Sequence, residues 1–450
     1  MFMYKVILAL RYLLKRRITY FAVLAVALCV FIVVVVMTVM TGLVSDFKQK
    51  NHDFVGDCVV GSKSLAGFPY YEDFMRLLEG TSCVESVSPV IKSYGLLNPR
   101  GREVNKPVEV MGIDPVRHSR TTGFGKTLYF HKEKVSQTFA PEYDPNLLGC
   151  VLGIDLALER DSDSGYPYDT HPARVAFLIS CIPLTARGVP AKDGLGLVNT
   201  QTFYYSDHSR SGLARVDGSL VYLPFEQAQL LCMSGTLKRA SAIGVKFKPG
   251  IGLADGCEQV ASLWRKFKQA RTGDEQGYLL DNVTVQNWKD YRRGNIAPME
   301  KEQAVMAVMF GFVGITTVFI VFVVFYMIIS HKSKDIGILK SIGASNADIV
   351  ELFSAFAFLV GFFGSCVGLF AGWLFLREAN RIEDWLFKYC GFQLWNRTIY
   401  AIGDIPSRTN LGVMAVIAVS AVLACLIGAL VPSLRAAASR PAETLQVNRL

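Results

Sequence analysis

Four stretches of this chain contain no Asp, Glu, Lys or Arg: 18–45, 303–330, 352–376 and 409–434. Each exceeds the roughly 20 apolar residues that carry a helix across a bilayer. The missing charge also excludes a class of function. Proton- and ion-coupled transporters usually keep an acid or base near the membrane midplane, and none of the four runs holds one. If this protein moves a substrate, the energy comes from another subunit.

The soluble chemistries are absent as well. Gly123-Phe-Gly-Lys-Thr127 has the end of a phosphate-binding loop, but the required first glycine position holds Arg120. The six histidines, at 52, 118, 131, 171, 208 and 331, lack H-E-x-x-H spacing, which argues against a zinc hydrolase. There is no G-x-S-x-G and no C-x-x-C. Metal binding has nothing to recommend it, and no cofactor is expected on this chain. Nucleic acid is also excluded as a partner, since no recognition helix or interleaved aromatic platform accompanies the net charge of +9.

What is present is a mixture. The chain has 450 residues, 51% hydrophobic and 19% charged, with mean hydropathy +0.31. That combination implies a few membrane helices plus a water-soluble domain. Lys5, Arg11, Lys15, Arg16 and Arg17 crowd the start, and Lys332, Lys334, Arg435 and Arg440 flank later runs. Positive charge beside apolar runs marks the cytoplasmic face. The expected order is therefore an interfacial amphipathic helix over 1–17, facing membrane lipids, and a first span over 18–45. An extracytoplasmic domain over 46–302, a second span over 303–330 and a cytoplasmic segment over 331–349 follow. A third span over 350–376, an outer loop over 377–408, a fourth span over 409–434 and a cytoplasmic tail over 435–450 complete it. The first run is too long for a cleaved signal and lacks a small-x-small site after Val44. The first two runs exceed a bilayer core, so they either tilt or continue as stalks above it.

The fold class expected is thus a four-helix membrane protein, split one-plus-three around a large α+β domain. Within that domain the periodicity predicts helices over 70–79, 225–233 and 254–270. Strands are predicted over 84–97, 104–113, 173–182, 219–223 and 242–247, and loops over 115–146 and 158–172. Seven of the ten cysteines (58, 83, 150, 181, 232, 257 and 390) fall on the outer side, where disulfides can form, although the spacing pairs none of them. Gly364, Gly368 and Gly372, like Ala415, Ala418, Ala421, Ala424 and Gly428, make small-residue stripes that suit close helix packing.

Residues 331–349 organise the rest. Ile336, Leu339, Ile342 and Asn346 fall on one helical stripe, Lys334, Lys340 and Asp348 keep the segment wet, and Gly343 ends the helix. Two turns cannot bury such a stripe alone. It needs a surface outside the chain, or a fold back against its own membrane ends.

Asp335-Ile-Gly-Ile-Leu-Lys-Ser-Ile-Gly-Ala-Ser345 and Pro432-Ser-Leu-Arg-Ala-Ala-Ala-Ser-Arg-Pro-Ala-Glu-Thr-Leu445 resemble the inner and closing motifs of the FtsX-like superfamily of ABC transporter permeases. Within it the chain is most similar to permeases of the lipoprotein-releasing (Lol) system. The likeness lies in Met37-Thr-Val-Met-Thr-Gly-Leu43, Val110-Met-Gly-Ile-Asp-Pro115, and the stretch from Phe203 through Ser211 and Asp217 to Gln229. Thr41 stands where those permeases have Asn, and residues 115–146 and 162–170 match nothing in the pattern.

The resemblance implies a non-catalytic subunit that works with a cytoplasmic ABC ATPase dimer, which binds ATP and Mg. It also implies a second permease copy or paralogue, lipoprotein cargo and a periplasmic carrier. Lys334, Asp335, Ile336, Gly337, Ile338, Leu339, Lys340, Ile342, Gly343 and Ala344 would form the ATPase-coupling helix. Met37, Met40, Phe47, Met306 and Phe310 would suit an acyl pocket. Lipoproteins would be lifted from the outer leaflet of the inner membrane by transmitted motion. Two alternatives stay open: an efflux or lipid-export permease, and a signalling permease that regulates cell-wall hydrolases.

Overall fold

The computed structural model describes residues 17–100, 105–158, 171–191, 198–235, 238–331, 333–390 and 411–438. The amphipathic segment over 1–16 and the tail over 439–450 lie outside these residues. Two compact units emerge. One is formed by Phe47–Ala297, the other by the described parts of Met1–Asp46, Pro298–Trp395 and Asp404–Leu450.

The chain enters along α1 (Arg17–Val55), which runs past the expected end at 45. At about 1.5 Å per residue it is about 58 Å long, nearly twice a bilayer core of about 30 Å. It stops at Gly56, whose φ of 84° only glycine adopts freely.

Eleven strands follow among the described residues: β1 (Cys58–Ser62), β2 (Phe68–Pro69), β3 (Val84–Pro99), β4 (Lys106–Ile113), β5 (Gly149–Gly153), β6 (Ala176–Cys181), β7 (Asn199–Ser209), β8 (Leu220–Pro224), β9 (Arg239–Ala240), β10 (Ala242–Phe247) and β11 (Val283–Asn287). Nine make one sheet in the order β11-β1-β10-β3-β4-β8-β5-β7-β6, and β6 also pairs back onto β3. The length of β3 makes this closure possible. Its start pairs with β10 (Val84 to Val90), its middle with β4 (Val90 to Leu97) and its end with β6 (Gly95 to Pro99).

Three helices cover the sheet: α2 (Tyr71–Glu79), α3 (Phe225–Cys232) and α4 (Leu253–Ala270). Phe74 of α2 and Phe68 of β2 meet Trp264 of α4 edge-on, with ring centres 4.7 and 5.5 Å apart. On the other part of the sheet Ile91, Leu152, Ile179 and Phe203 pack with Ala228 and Leu231 of α3. Fully burying a Leu, Ile or Phe side chain in this way is worth about 1.5–3 kcal/mol.

These elements answer the expected α+β pattern, with two differences. The expected loop over 115–146 contains helices Pro115–Thr121 and Phe124–Thr127. The first is capped by Asp114, whose carboxylate accepts from the amides of Val116 and Arg117 at 3.0 Å each. The sequence carries that signal, an Asp N-cap followed by Pro at N1. Strands β1, β5, β7 and β11, and the two-residue β2 and β9, were not expected. Four of the five residues of β1 and all of β5 are buried, so neither alternates, and β7 is polar at its start.

The remaining long helices are α5 (Arg293–His331), the short α6 (Ser333–Ser341), α7 (Asn346–Cys390) and α8 (Leu411–Ala438). Among the described residues four helices, α1, α5, α7 and α8, are long and apolar enough to cross a membrane. α7 continues through much of the expected loop over 377–408. Charge alone does not stop a helix, no Gly or Pro occurs between 377 and 390, and Arg381 pairs with Glu378 one turn back at 2.8 Å.

Glycines set the packing of this unit. A Cβ on Gly364 would lie 2.8 Å from Val26 of α1, one on Gly368 2.5 Å from the Ala27 carbonyl oxygen, and one on Gly372 3.1 Å from Val34. The expected stripe on α7 is therefore where α1 approaches. Gly428 of α8 likewise sits against α5, with Val318 O 2.7 Å from its would-be Cβ.

Candidate partner-coupling site

α6 is only two turns long, but its joint to α7 is fixed by hydrogen bonds. Gly343 takes φ 103°. Its amide donates to Lys340 O, and the Ala344 amide reaches back to Leu339 O, both at 3.0 Å. That double closure is a Schellman cap, and Leu339 and Ala344 both pack against the apolar cluster around Ile336.

The next helix starts without slack. Ser345 Oγ accepts from the Asp348 amide at 3.2 Å, and Asp348 Oδ2 accepts from the Ser345 amide at 3.0 Å, a reciprocal capping box at the head of α7. The α6–α7 corner is thus stiff.

The apolar residues of the corner divide in two. Ile336, 3% exposed, packs with Ile349 and Phe353 of α7 and with Ala436 and Ala437 of α8, and Leu339 packs against the same group. Lys340 Nζ donates to the Ala437 carbonyl oxygen. Ile338 and Ile342, by contrast, are 49% and 79% exposed. Half of the stripe therefore folds back on the protein's own helices. Of the two surfaces open to the stripe, the protein's own helices take Ile336 and Leu339, while Ile342 stays exposed. Gly337 is buried, Gly343 is exposed and Ala344 half-buried. Lys334 and Asp335 belong to α6, with side chains outside the described residues.

The five acyl-pocket candidates do not share one environment. Met37 packs among the membrane-length helices and Met40 is buried. Met306 and Phe310 are half-buried on α5. Phe47 packs in the outer unit with Phe54 against two of its core clusters. Its aromatic ring is taken up by that unit's own packing.

The outer-unit motif residues act as pins. Asp217 accepts from Ser211 N (2.8 Å), Ser211 Oγ (2.7 Å) and Gly212 N (3.0 Å). Burial raises its pKa, and those donors hold it down only in part. Asp207, fully buried, accepts from the amides of Phe130 (3.0 Å), His131 (2.8 Å) and His208 (2.7 Å). Sequence reasoning saw this stretch as a resemblance and missed its work, which is to tie the loop at Phe130 and His131 to β7 and the turn at Ser211 and Gly212 to the helix Ala214–Ser219 that precedes β8. Gly125 of the discarded phosphate-loop lookalike belongs to a helix, where a Cβ would lie 2.3 Å from Ser119 Oγ. It is a packing glycine.

The comparisons with known proteins agree with this layout. Residues 307–441 match the FtsX-like permease C-terminal family, and that range begins within α5 and includes the α6–α7 corner. The chain carries an FtsX-like permease domain. Beyond that domain, the chain is 23% identical over 454 residues to the lipoprotein-releasing system transmembrane protein LolC of Neisseria meningitidis serogroup B, covering 99% of this chain and 100% of that one. LolC of Xylella fastidiosa (strain 9a5c) is 22% identical, with 98% of each chain covered. LolE of Haemophilus influenzae is 22% identical, covering 94% of this chain and 93% of that one. The likeness to these permeases therefore includes the outer unit as well as the FtsX-like domain.

Proposed function

We propose that this chain is the transmembrane permease subunit of a lipoprotein-releasing ABC transporter. Near-full-length similarity to LolC, outer unit included, carries the reading, since the matched domain over 307–441 alone leaves the cargo open. The chain is non-catalytic and supplies no nucleotide site.

In this reading α1 crosses the membrane alone and α5, α7 and α8 cross as a group, with both termini in the cytoplasm of a bacterial inner membrane. Phe47–Ala297 lies outside and the α6–α7 corner inside. A cytoplasmic ABC ATPase dimer docks on the exposed Ile338 and Ile342, with Gly343 leaving room for close approach. Lys334 and Asp335 stand beside that contact, and Lys340 holds the corner to α8. Nucleotide-driven closure of the ATPases pushes the stiff corner, and α1 and α5 carry the motion outward as continuous helices. A second permease copy or paralogue completes the transporter. Met37, Met40, Met306 and Phe310 remain the side chains suited to an acyl chain. A soluble carrier takes the released lipoprotein.

Depleting the protein tests this directly. Acylated lipoproteins destined for the outer membrane should accumulate in the inner membrane. Normal sorting after depletion would contradict lipoprotein release and return the efflux and signalling readings.

A further inference from the structure

The outer unit holds six described cysteines, all of them thiols in this structure: Cys58, Cys83, Cys150, Cys181, Cys232 and Cys257. Cys83 and Cys150 serve as buried apolar side chains in separate cores. The other four meet in two pairs.

Cys58 opens β1 and is fully buried, while Cys257, half-buried, lies near the start of α4. They pack into the same core as Phe74 and Trp264, and their side chains interact there. Cys181 ends β6 and Cys232 ends α3, and both side chains are buried in one core, where they interact. The main chain brings them together. Leu184, three residues beyond β6, donates its amide to Cys232 O at 3.0 Å and bridges to Met233 in parallel. In both pairs, then, a strand end and a covering helix meet through sulfur.

Hydrogen bonding to the partner sulfur raises the Cys58 and Cys181 thiols, with burial adding to it. The same contacts lower Cys257 and Cys232 against the opposing effect of burial. Cys150, by comparison, is raised by burial alone.

We propose that Cys58–Cys257 and Cys181–Cys232 are disulfide bonds of the mature protein, each fastening a helix to the closed sheet. The inference rests on the reading that Phe47–Ala297 lies outside the cytoplasm. The oxidant is a disulfide, protein-borne or small-molecule, of that compartment. The thiolate of Cys257, the more accessible of its pair, attacks one sulfur of the donor disulfide and expels the first donor thiolate. The thiolate of Cys58 then attacks the mixed disulfide at Cys257 and expels the second. Two cysteines lose two electrons, the donor disulfide gains them, and the two thiol protons end on the donor dithiol. Cys232 and Cys181 follow the same course before their core closes. Both links join residues far apart in sequence, and such links restrict the unfolded chain most.

The test uses the full-length protein from native membranes, denatured and alkylated with N-ethylmaleimide without reductant, then digested for mass spectrometry. Cys83 and Cys150 should carry the label. The other four should appear as two linked peptides, 58 with 257 and 181 with 232, which are alkylated only after reduction. A membrane-impermeant maleimide applied to intact cells carrying Gln269→Cys, an exposed position on α4, reports the compartment separately. Four free thiols with Gln269→Cys labelled from outside would overturn the proposal itself, as would any other pairing. Four free thiols with Gln269→Cys unreachable would instead overturn the topology on which it rests.

Discussion

Arg292 donates from Nε to Oδ1 of Asn51 at 2.8 Å, joining the roots of two long helices inside the outer unit. Asn51 is fully buried near the end of α1, and its Nδ2 donates to the Phe47 carbonyl oxygen at 2.8 Å. Arg292 immediately precedes α5 and lies over the Phe54 ring, 5.0 Å from its centre. Burial lowers its pKa, a sign of how far the guanidinium is withdrawn from water. Any motion that separates α1 from α5 at this level must break a charge-assisted bond.

Hydrogen bonds to charged groups contribute about 1.5–3 kcal/mol. Arg292→Ala and Asn51→Ala should each lower the denaturation midpoint of the full-length protein in detergent. In a double-mutant cycle the two should couple by about 1 kcal/mol or more. Additive losses would mean that the pair does not act as a unit.

Helix packing makes a sharper demand. With only 2.5 Å between a Cβ at Gly368 and the Ala27 carbonyl oxygen, even Gly368→Ala forces α1 and α7 apart. Overpacking of this kind costs about 1–3 kcal/mol. Gly311→Ala, where a Cβ meets nothing within 4 Å, should be neutral or better on the same helix-unit melting assay. Equal effects at the two positions would count against the packing account.

Acid should loosen the outer unit through His118. It is buried against Phe124, with Ser88 Oγ 3.4 Å from Nδ1, and burial, helped by the nearby Lys92, drops its pKa from 6.5 to about 3. Between those values the unfolded chain takes up a proton that the folded chain refuses. Stability is therefore full above pH 6.5 and falls as pH drops toward 3, by up to about 1.4 kcal/mol per pH unit. Denaturant titrations of the full-length protein at pH 7 and pH 5 should show that loss, and His118→Gln should shrink it. An unchanged pH slope in the variant would assign the acid lability to other groups.

Much of this was legible in the sequence. Charge-free runs gave four membrane-length helices, and period-two and helical patterns gave β3, β4, β6, β8, β10 and α2 to α4 within a few residues. The misses have physical causes. The wholly buried strand β5 has no alternation to read, and α7 runs through charged residues because nothing at 377–390 breaks it. The division of the coupling stripe was not readable either. Whether Ile336 or Ile342 faces out depends on where α8 ends in space, and Ala436 and Ala437 lie about a hundred positions downstream. The cysteine pairs have the same character. Only the closure of β6 onto β3 and the seating of α3 and α4 bring those sulfurs together.

The coupling corner separates two kinds of isoleucine. Ile336→Asp places a carboxylate in a closed apolar cluster and should destabilise the helix unit itself, since a buried unpaired charge is strongly unfavourable. Ile338→Asp and Ile342→Asp should leave expression and melting unchanged while abolishing co-purification with the ATPase. Loss of folding in all three would contradict the division of the stripe.

The most direct measurement is ATP-dependent release of an acylated lipoprotein to a soluble carrier from proteoliposomes that hold this protein with its ATPase, compared with Ile342→Asp. The account predicts release by the wild-type complex, and loss of release with Ile342→Asp in a protein that still melts normally. Active ATP hydrolysis by the wild-type complex with no lipoprotein released, or equal release by the variant, would contradict it.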